Sequence, residues 1–299
     1  MSVTVRVPAK VNVQLAVGAA RPDGFHDLAN VFLAVSLHDE VTATPAGELR
    51  VTCEGPDADQ VPLDRTNLAA RAALALAERH GRAPDVHLHI AKDIPVAGGM
   101  AGGSADCAGA LVACDALWGT GASREELLEI CAELGSDVPF SLVGGAALGT
   151  GRGERLTELE VGGDFHWVFA LASRGLSTPA VFREFDRLGQ GLDIPEPVAD
   201  QAVLDALAKG DPAALAVTVS NDLQPAALSL FPELGDTLAA GRAAGALAAL
   251  VSGSGPTTAF LATDAKSASD IAGVLRASGT CRDVRTASGP AAGATVLGS

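Results

Sequence analysis

The chain has no tyrosine, two tryptophans and nine phenylalanines, so aromatic side chains make up 4% of its 299 residues. Basic residues are also scarce: 21 Lys and Arg stand against 36 Asp and Glu, a net charge of -15. Nucleic-acid affinity depends on cationic side chains that release counterions, so a phosphate-backbone partner is excluded. A small anion can be held only where local donors outweigh the negative field. No apolar stretch reaches the roughly 18 residues that a membrane-crossing helix needs. The best candidates, Gly245–Val251 and Phe140–Leu148, are short and broken by glycine, which leaves no membrane partner. Met1–Val7 lacks the basic segment and apolar run of a secretory leader. The five cysteines are odd in number, scattered and free of any C-x-x-C pair. That argues against a disulfide scaffold or a zinc site, and for reduced thiols in a cytoplasmic protein.

What is present is ample core material: 48% hydrophobic residues with 19% charged, enough to exclude disorder. At roughly 150 residues per domain the length favours two. Val3, Val5 and Val7, then Val11, Val13, Leu15 and Val17, predict one strand, or two separated by a bulge near Pro8-Ala9. Arg21-Pro22-Asp23-Gly24 marks a turn, and further strands are predicted over 31–37, 40–44 and 85–91. Asn67 predicts the cap of a helix running to His80, and composition predicts another over 104–117. Ser123-Arg124-Glu125-Glu126 matches a capping box for a helix that stops at Gly135. Five glycines at 144, 145, 149, 151 and 153 read as a flexible passage between domains. The boundary is placed near Glu154–Gly163, dividing the chain into 1–155 and 156–299. Beyond it a strand is predicted over 165–172, then a helix opening at Thr178-Pro179 and helices over 198–209, 212–220, 232–244 and 264–277. Strands are predicted over 247–251, 257–262 and 282–286, with a loose tail from Ser288. Interleaved strands and helices indicate a mixed α/β or α+β protein of two domains.

The strongest chemical signal lies between the strand at 85–91 and the helix at 104–117. It reads Pro95-Val96-Ala97-Gly98-Gly99-Met100-Ala101-Gly102-Gly103-Ser104. Its glycines let the backbone turn tightly and approach a ligand with no Cβ in the way. Successive N–H groups at the positive end of a helix dipole cradle an anion. The loop lacks the G-K-[ST] of a Walker A motif and the G-x-G-x-x-G of a dinucleotide-binding turn. Two readings stand: a phosphate cradle, or a flexible connection without a ligand.

Asp137, in Gly135-Ser136-Asp137-Val138-Pro139-Phe140, reads either as the N-cap of a short helix or as a reactive carboxylate. Lys10 sits inside the first apolar strand, where no other charge occurs between Arg6 and Arg21. Facing inward, it needs an anionic partner, because an unpaired buried ammonium is costly; facing outward, it is an edge lysine. His87 and His89 lie on one strand face without a third metal ligand and read as structural. His26 reads as a turn residue beside Phe25, and Ser252-Gly253-Ser254-Gly255-Pro256 as a hairpin turn.

In order and spacing, Pro8-Ala9-Lys10-Val11-Asn12, Gly98–Ser104, Gly135–Pro139 and Ser252–Pro256 resemble the GHMP kinase superfamily, over about residues 3 to 287. The glycine loops carry only the superfamily. Arg21-Pro22-Asp23-Gly24-Phe25-His26, with the segments around Lys10 and Asp137, points to the branch that phosphorylates a cytidine diphosphate-linked methylerythritol.

The resemblance implies an α+β GHMP fold: an N-terminal domain like domain 2 of ribosomal protein S5, a ferredoxin-like C-terminal domain, and the active site between them. It implies ATP and Mg²⁺ as cofactors, transfer to the substrate's 2-hydroxyl in non-mevalonate isoprenoid synthesis, and a cytoplasmic monomer or homodimer. Pro95 through Ser104, and Ala105 after it, would wrap the ATP phosphates. Asp137 would be the general base with Lys10 beside it. Asn12, Ser252, Gly253, Ser254 and Gly255 would lie on the substrate side. Phe25 and His26 would recognise the cytosine, and Phe182 would stack on its other face. Two departures stand out. Phe25 occupies a position where tyrosine is frequent, which keeps stacking but loses a hydroxyl. Ser104-Ala105-Asp106 replaces a common Ser-Ser-Asn ending, setting a carboxylate near phosphates unless Mg²⁺ or the helix N-terminus offsets it. No metal ligand is assigned. A homoserine or mevalonate kinase of the same superfamily is disfavoured by Phe25, His26 and Phe182, since those substrates carry no base. A catalytically silent nucleotide-binding module is disfavoured because Lys10 and Asp137 are both present.

Overall fold

A computed structural model describes residues 2–298. The alternation that opens the chain becomes one strand, β1 (Val3–Ala20), antiparallel to β2 (His26–Pro45). Their register shifts between Pro8 and Ala9, so the expected break there is a bulge inside a continuous strand. The stretches at 31–37 and 40–44 likewise belong to one strand. From Val7 to Val13 every residue of β1 is buried. Both faces are therefore covered: the valines pack in the main core, and Lys10 and Asn12 lie on the other face.

The chain continues through β3 (Arg50–Glu54), α1 (Leu68–Arg79) and β4 (Val86–Ala91). Then come α2 (Gly102–Trp118), α3 (Arg124–Leu134) and α4 (Val138–Val143). The expected caps form: Asn67 accepts from the Ala69 N–H, and Ser123 from the Glu126 N–H. α2 lies close against the sheet because Gly109 has no side chain; a Cβ there would stand 2.9 Å from methyls of Val7 and Val41.

The glycine-rich stretch 144–153 is not a flexible passage. It forms β5 (Ala146–Thr150), hydrogen-bonded to β2 on one side and to β6 (Arg155–Leu159) on the other. Its glycines permit close packing: a Cβ on Gly149 would meet the Phe32 ring at 2.6 Å. The division expected at 155/156 falls inside β6, and the passage to the second sheet spans residues 160–164.

The second sheet begins with β7 (Phe165–Leu171), after which come α5 (Thr178–Leu188), α6 (Gln201–Lys209) and α7 (Pro212–Ala216). β8 (Ser220–Asn221), α8 (Gln224–Leu230), α9 (Leu234–Ala243), β9 (Ala248–Val251) and β10 (Thr258–Ala262) follow. α10 (Ala265–Ser278), β11 (Asp283–Gly289) and β12 (Thr295–Val296) complete the chain. β11, β7, β10 and β9 lie side by side, all antiparallel. β8 and β12 return to pair with β1, so the tail expected to be loose is tied into the first sheet. The α+β architecture of two sheet-based units matches the expectation.

Candidate active site

A cavity of about 610 Å³ opens between the two units. Its walls come from β1, the start of β2, the glycine loop before α2, the start of α4, α5 and the β9–β10 hairpin. Lys10 faces inward, with 5% of its side chain exposed. Its Nζ donates to Asn12 Oδ1 at 2.6 Å and to the Gly99 carbonyl at 2.9 Å, and stands 3.7 Å from Asp137 Oδ2. Burial pushes the Lys10 ammonium below its ordinary value, and Asp137 opposes that shift. Asn12 in turn donates to Asn30 Oδ1 at 2.7 Å, which fixes the amide whose oxygen holds the lysine.

Asp137 occupies the N-cap position of α4, yet its side chain makes no capping bond. A third of that side chain is exposed, on the cavity wall beside Lys10. The helix-cap reading therefore does not account for the carboxylate.

The glycine loop is held in a specific shape. Gly99 has φ +73°, and a Cβ there would lie 2.2 Å from the Ser252 carbonyl. Ala97 and Ala101 also adopt positive φ, 51° and 62°, a conformation that costs non-glycine residues energy. α2 starts at Gly102, two residues before the expected start, and Ala101 at its N-cap makes no side-chain capping bond. The first N–H groups of a helix have no partner within it, and this uncapped end lines the cavity, a geometry suited to an anion.

Of the phosphate-loop residues expected from sequence, Ala97, Gly98, Gly99, Ala101, Gly102, Gly103 and Ser104 line the cavity. Pro95 and Val96 line an adjoining hollow with Arg174 and Gly175. Met100 and Ala105 are buried in the core and anchor the loop from below. On the hairpin, Gly253 and Ser254 reach the cavity, whereas Ser252 is buried and Gly255 lies behind. Ser252 donates to the Gly99 carbonyl at 3.0 Å, tying the two glycine loops together. The segment is a hairpin turn and a cavity wall at once.

His26 is no turn residue: it opens β2 and is 6% exposed. Its ring centroid lies 4.9 Å from that of Phe182, and its Nε2 is 2.8 Å from Asp186 Oδ1. A carboxylate only accepts, so Nε2 is the donor. Phe25 is 48% exposed, and the Arg152 guanidinium stands 5.1 Å from its ring centroid. His87 and His89 both hydrogen-bond to Thr52 on the neighbouring strand, away from the cavity. Asp106 is buried and does not line the cavity.

Sequence reasoning missed Asn30, Arg152, Arg183 and Asp186, all on the cavity. Asn30 had a signal, a polar residue opening the apolar run of 31–35. The other three are surface-type residues in ordinary polar context. Lys10 and the two arginines set cationic side chains on the cavity wall of an otherwise acidic chain.

Two family models match, GHMP kinases N terminal domain over residues 67–145 and GHMP kinases C terminal over 203–281. The 4-diphosphocytidyl-2-C-methyl-D-erythritol kinase of Streptomyces coelicolor is 93% identical over 99% of this chain and 100% of that protein. The crystal structure of a 4-(cytidine 5'-diphospho)-2C-methyl-D-erythritol kinase superposes with TM-score 0.77 at 33% identity, covering 95% of this chain and 98% of that one. A homoserine kinase from Cytophaga hutchinsonii shares the fold, with TM-score 0.74 at 20% identity over 99% of this chain and 97% of the other.

Proposed function

Since the chain belongs to the GHMP kinases, in the family of 4-diphosphocytidyl-2-C-methyl-D-erythritol kinases, we propose that it transfers the γ-phosphoryl group of ATP to the 2-hydroxyl of that diphosphocytidyl alcohol. The observation that carries this reading is the uncapped Asp137 carboxylate beside a buried Lys10, on a cavity that an open helix N-terminus and the His26–Phe182 pair also line.

Phosphoryl transfer needs positioning and charge stabilisation more than covalent help, because its transition state is loose. In the proposed arrangement the loop from Ala97 to Ser104 holds the ATP phosphates through backbone N–H groups. Asp137 accepts the proton of the attacking hydroxyl. Lys10 faces the charge that develops as the O–H bond breaks and the O–P bond forms. Phe182 and Phe25 offer ring faces to the cytosine, and His26 its edge. Homoserine and mevalonate would leave that aromatic wall without a partner.

Among the described residues no three His, Cys, Asp or Glu side chains stand close enough to share a metal ion. Mg²⁺ is proposed as the companion of the nucleotide, an ion that favours phosphate, carboxylate and water oxygens, with no residue assigned as its ligand. It would neutralise phosphate charge. In the same reading the enzyme works in the cytoplasm, as two units divided at residues 160–164. The first unit carries the phosphate loop and the Lys10–Asp137 pair, and the second closes the cavity with α5 and the hairpin.

The test offers purified protein with Mg-ATP to the diphosphocytidyl alcohol, homoserine and mevalonate in parallel and follows ADP release. Turnover confined to the first supports the assignment. Comparable turnover of homoserine overturns it.

A further inference from the structure

Asp106, where the phosphate loop departs from the common pattern, meets two other buried charges under that loop. Lys92, Asp39 and Asp106 are 5%, 0% and 3% exposed. The Lys92 ammonium stands 3.0 Å from Asp106 Oδ2 and also contacts Asp39 Oδ2. Asp39, on β2, additionally accepts the backbone N–H groups of Asp93 at 2.7 Å and Ile94 at 2.8 Å. Lys92 leads from β4 into the phosphate loop, and Asp106 lies in the second turn of the helix that leaves it. Gly102 makes room for the meeting, since a Cβ there would stand 3.0 Å from Lys92 Nζ.

We propose that Lys92, Asp39 and Asp106 form a buried clasp that joins the two ends of the phosphate loop and so holds its N–H groups in place for a polyphosphate. None of the three faces the cavity, so they are positioning residues. The proposal rests on reading the loop as a nucleotide-phosphate site. Charges removed from water are costly unless paired, and the Lys92 ammonium pairs with both carboxylates. One ammonium and two carboxylates leave one formal negative charge uncompensated. Burial, opposed by Lys92, pushes Asp106 up to about 8. Asp39 and Asp106 share the Lys92 ammonium, and the nearby Asp39 charge adds to the upward push on Asp106. Asp106 Oδ1 is buried without a hydrogen-bond partner. Two thiols also feel the Asp106 charge: Cys53 of β3, pushed up to about 11 by burial, and Cys107, its neighbour on α2, likewise pushed up by burial. The clasp thus carries one proton at neutral pH. Losing it sets a negative charge beneath the site where phosphates bind.

The test measures ATP affinity by calorimetry between about pH 6.5 and 9.5 for wild type, Asp106→Asn and Asp106→Leu, alongside KM for the alcohol substrate. Asparagine keeps the shape and the donor without a titratable proton. Wild type is expected to lose at least about threefold in ATP affinity from pH 7 to pH 9. Asp106→Asn should match wild type at pH 7 and lack that extra loss. Asp106→Leu should bind ATP about tenfold more weakly at pH 7 or worse, with KM for the alcohol unchanged. Identical pH profiles for wild type and Asp106→Asn overturn the proposal, as does a folded Asp106→Leu with normal ATP affinity. Should the leucine variant not fold, the asparagine comparison decides alone. A wild type that binds no ATP overturns the phosphate-loop reading, and the proposal with it.

Discussion

Asp137 stands at the N-cap of α4 without capping it, and points its carboxylate to within 3.7 Å of the buried Lys10 ammonium. An aspartate kept for helix stability would bond the N–H groups of the first turn. Asp137→Asn is therefore expected to lose at least about 10²-fold in kcat, the lower end of what a positioned base supplies. ATP affinity and thermal stability should change little. Steady-state kinetics with calorimetric ATP titration checks both halves, and a near-normal kcat would reduce Asp137 to a structural role.

The same pair predicts a pH dependence. Burial lowers the Lys10 value from its ordinary 10.5, while Asp137 raises it. Activity that needs the ammonium falls as pH rises through that lowered value, so the alkaline limb of kcat should lie below pH 10.5. Removing the anionic partner removes the opposing effect. The residual activity of Asp137→Asn should thus lose its alkaline limb at lower pH than wild type. A limb that stays put, or moves upward, contradicts the coupling of these two residues.

Much of the site was legible because its residues break a local pattern. Lys10 is a charge inside an apolar alternation, and the glycine loop concentrates four glycines where a strand meets a helix. Asn67 and Ser123 form the caps their positions predict. Asp137 was ambiguous because a cap and a base look alike in sequence; only the direction of the side chain separates them. The glycines of 144–153 misled for a related reason. A backbone free to flex and a backbone packed against Phe32 both call for glycine. Contacts between distant segments left no local trace at all. The return of β12 to β1, the Asp186–His26 bond and the inward turn of Asp106 belong to that class.

Gly99 and Gly103 sit four residues apart in the phosphate loop, yet substitution should separate them sharply. At Gly99 the backbone has φ +73°, and an added Cβ would lie 2.2 Å from the Ser252 carbonyl. Gly99→Ala must push the two glycine loops apart and break their link, in addition to straining its own backbone. A destabilisation of about 1–3 kcal/mol is expected, with weakened ATP binding. At Gly103 the nearest atom to an added Cβ is Leu68 Cδ1 at 3.7 Å, an ordinary contact. Gly103→Ala should melt within about a degree or two of wild type, helped by the higher helix propensity of alanine. Thermal melts of the two variants check this, and equal behaviour would argue against the tight fit between the loops.

Phe182 presents its ring to the cavity beside His26, at 4.9 Å between centroids. If a cytosine lies against it, Phe182→Ala removes a stacking contact worth about 1–3 kcal/mol, which corresponds to roughly 5- to 150-fold in affinity. The loss should fall on KM for the diphosphocytidyl alcohol and leave KM for ATP nearly unchanged, because Phe182 belongs to α5 and not to the glycine loop. Phe182→Tyr keeps the ring face and should restore most of the affinity. Initial-rate kinetics with each substrate varied in turn separates the two constants. A shift confined to ATP would instead move the base-binding wall away from α5.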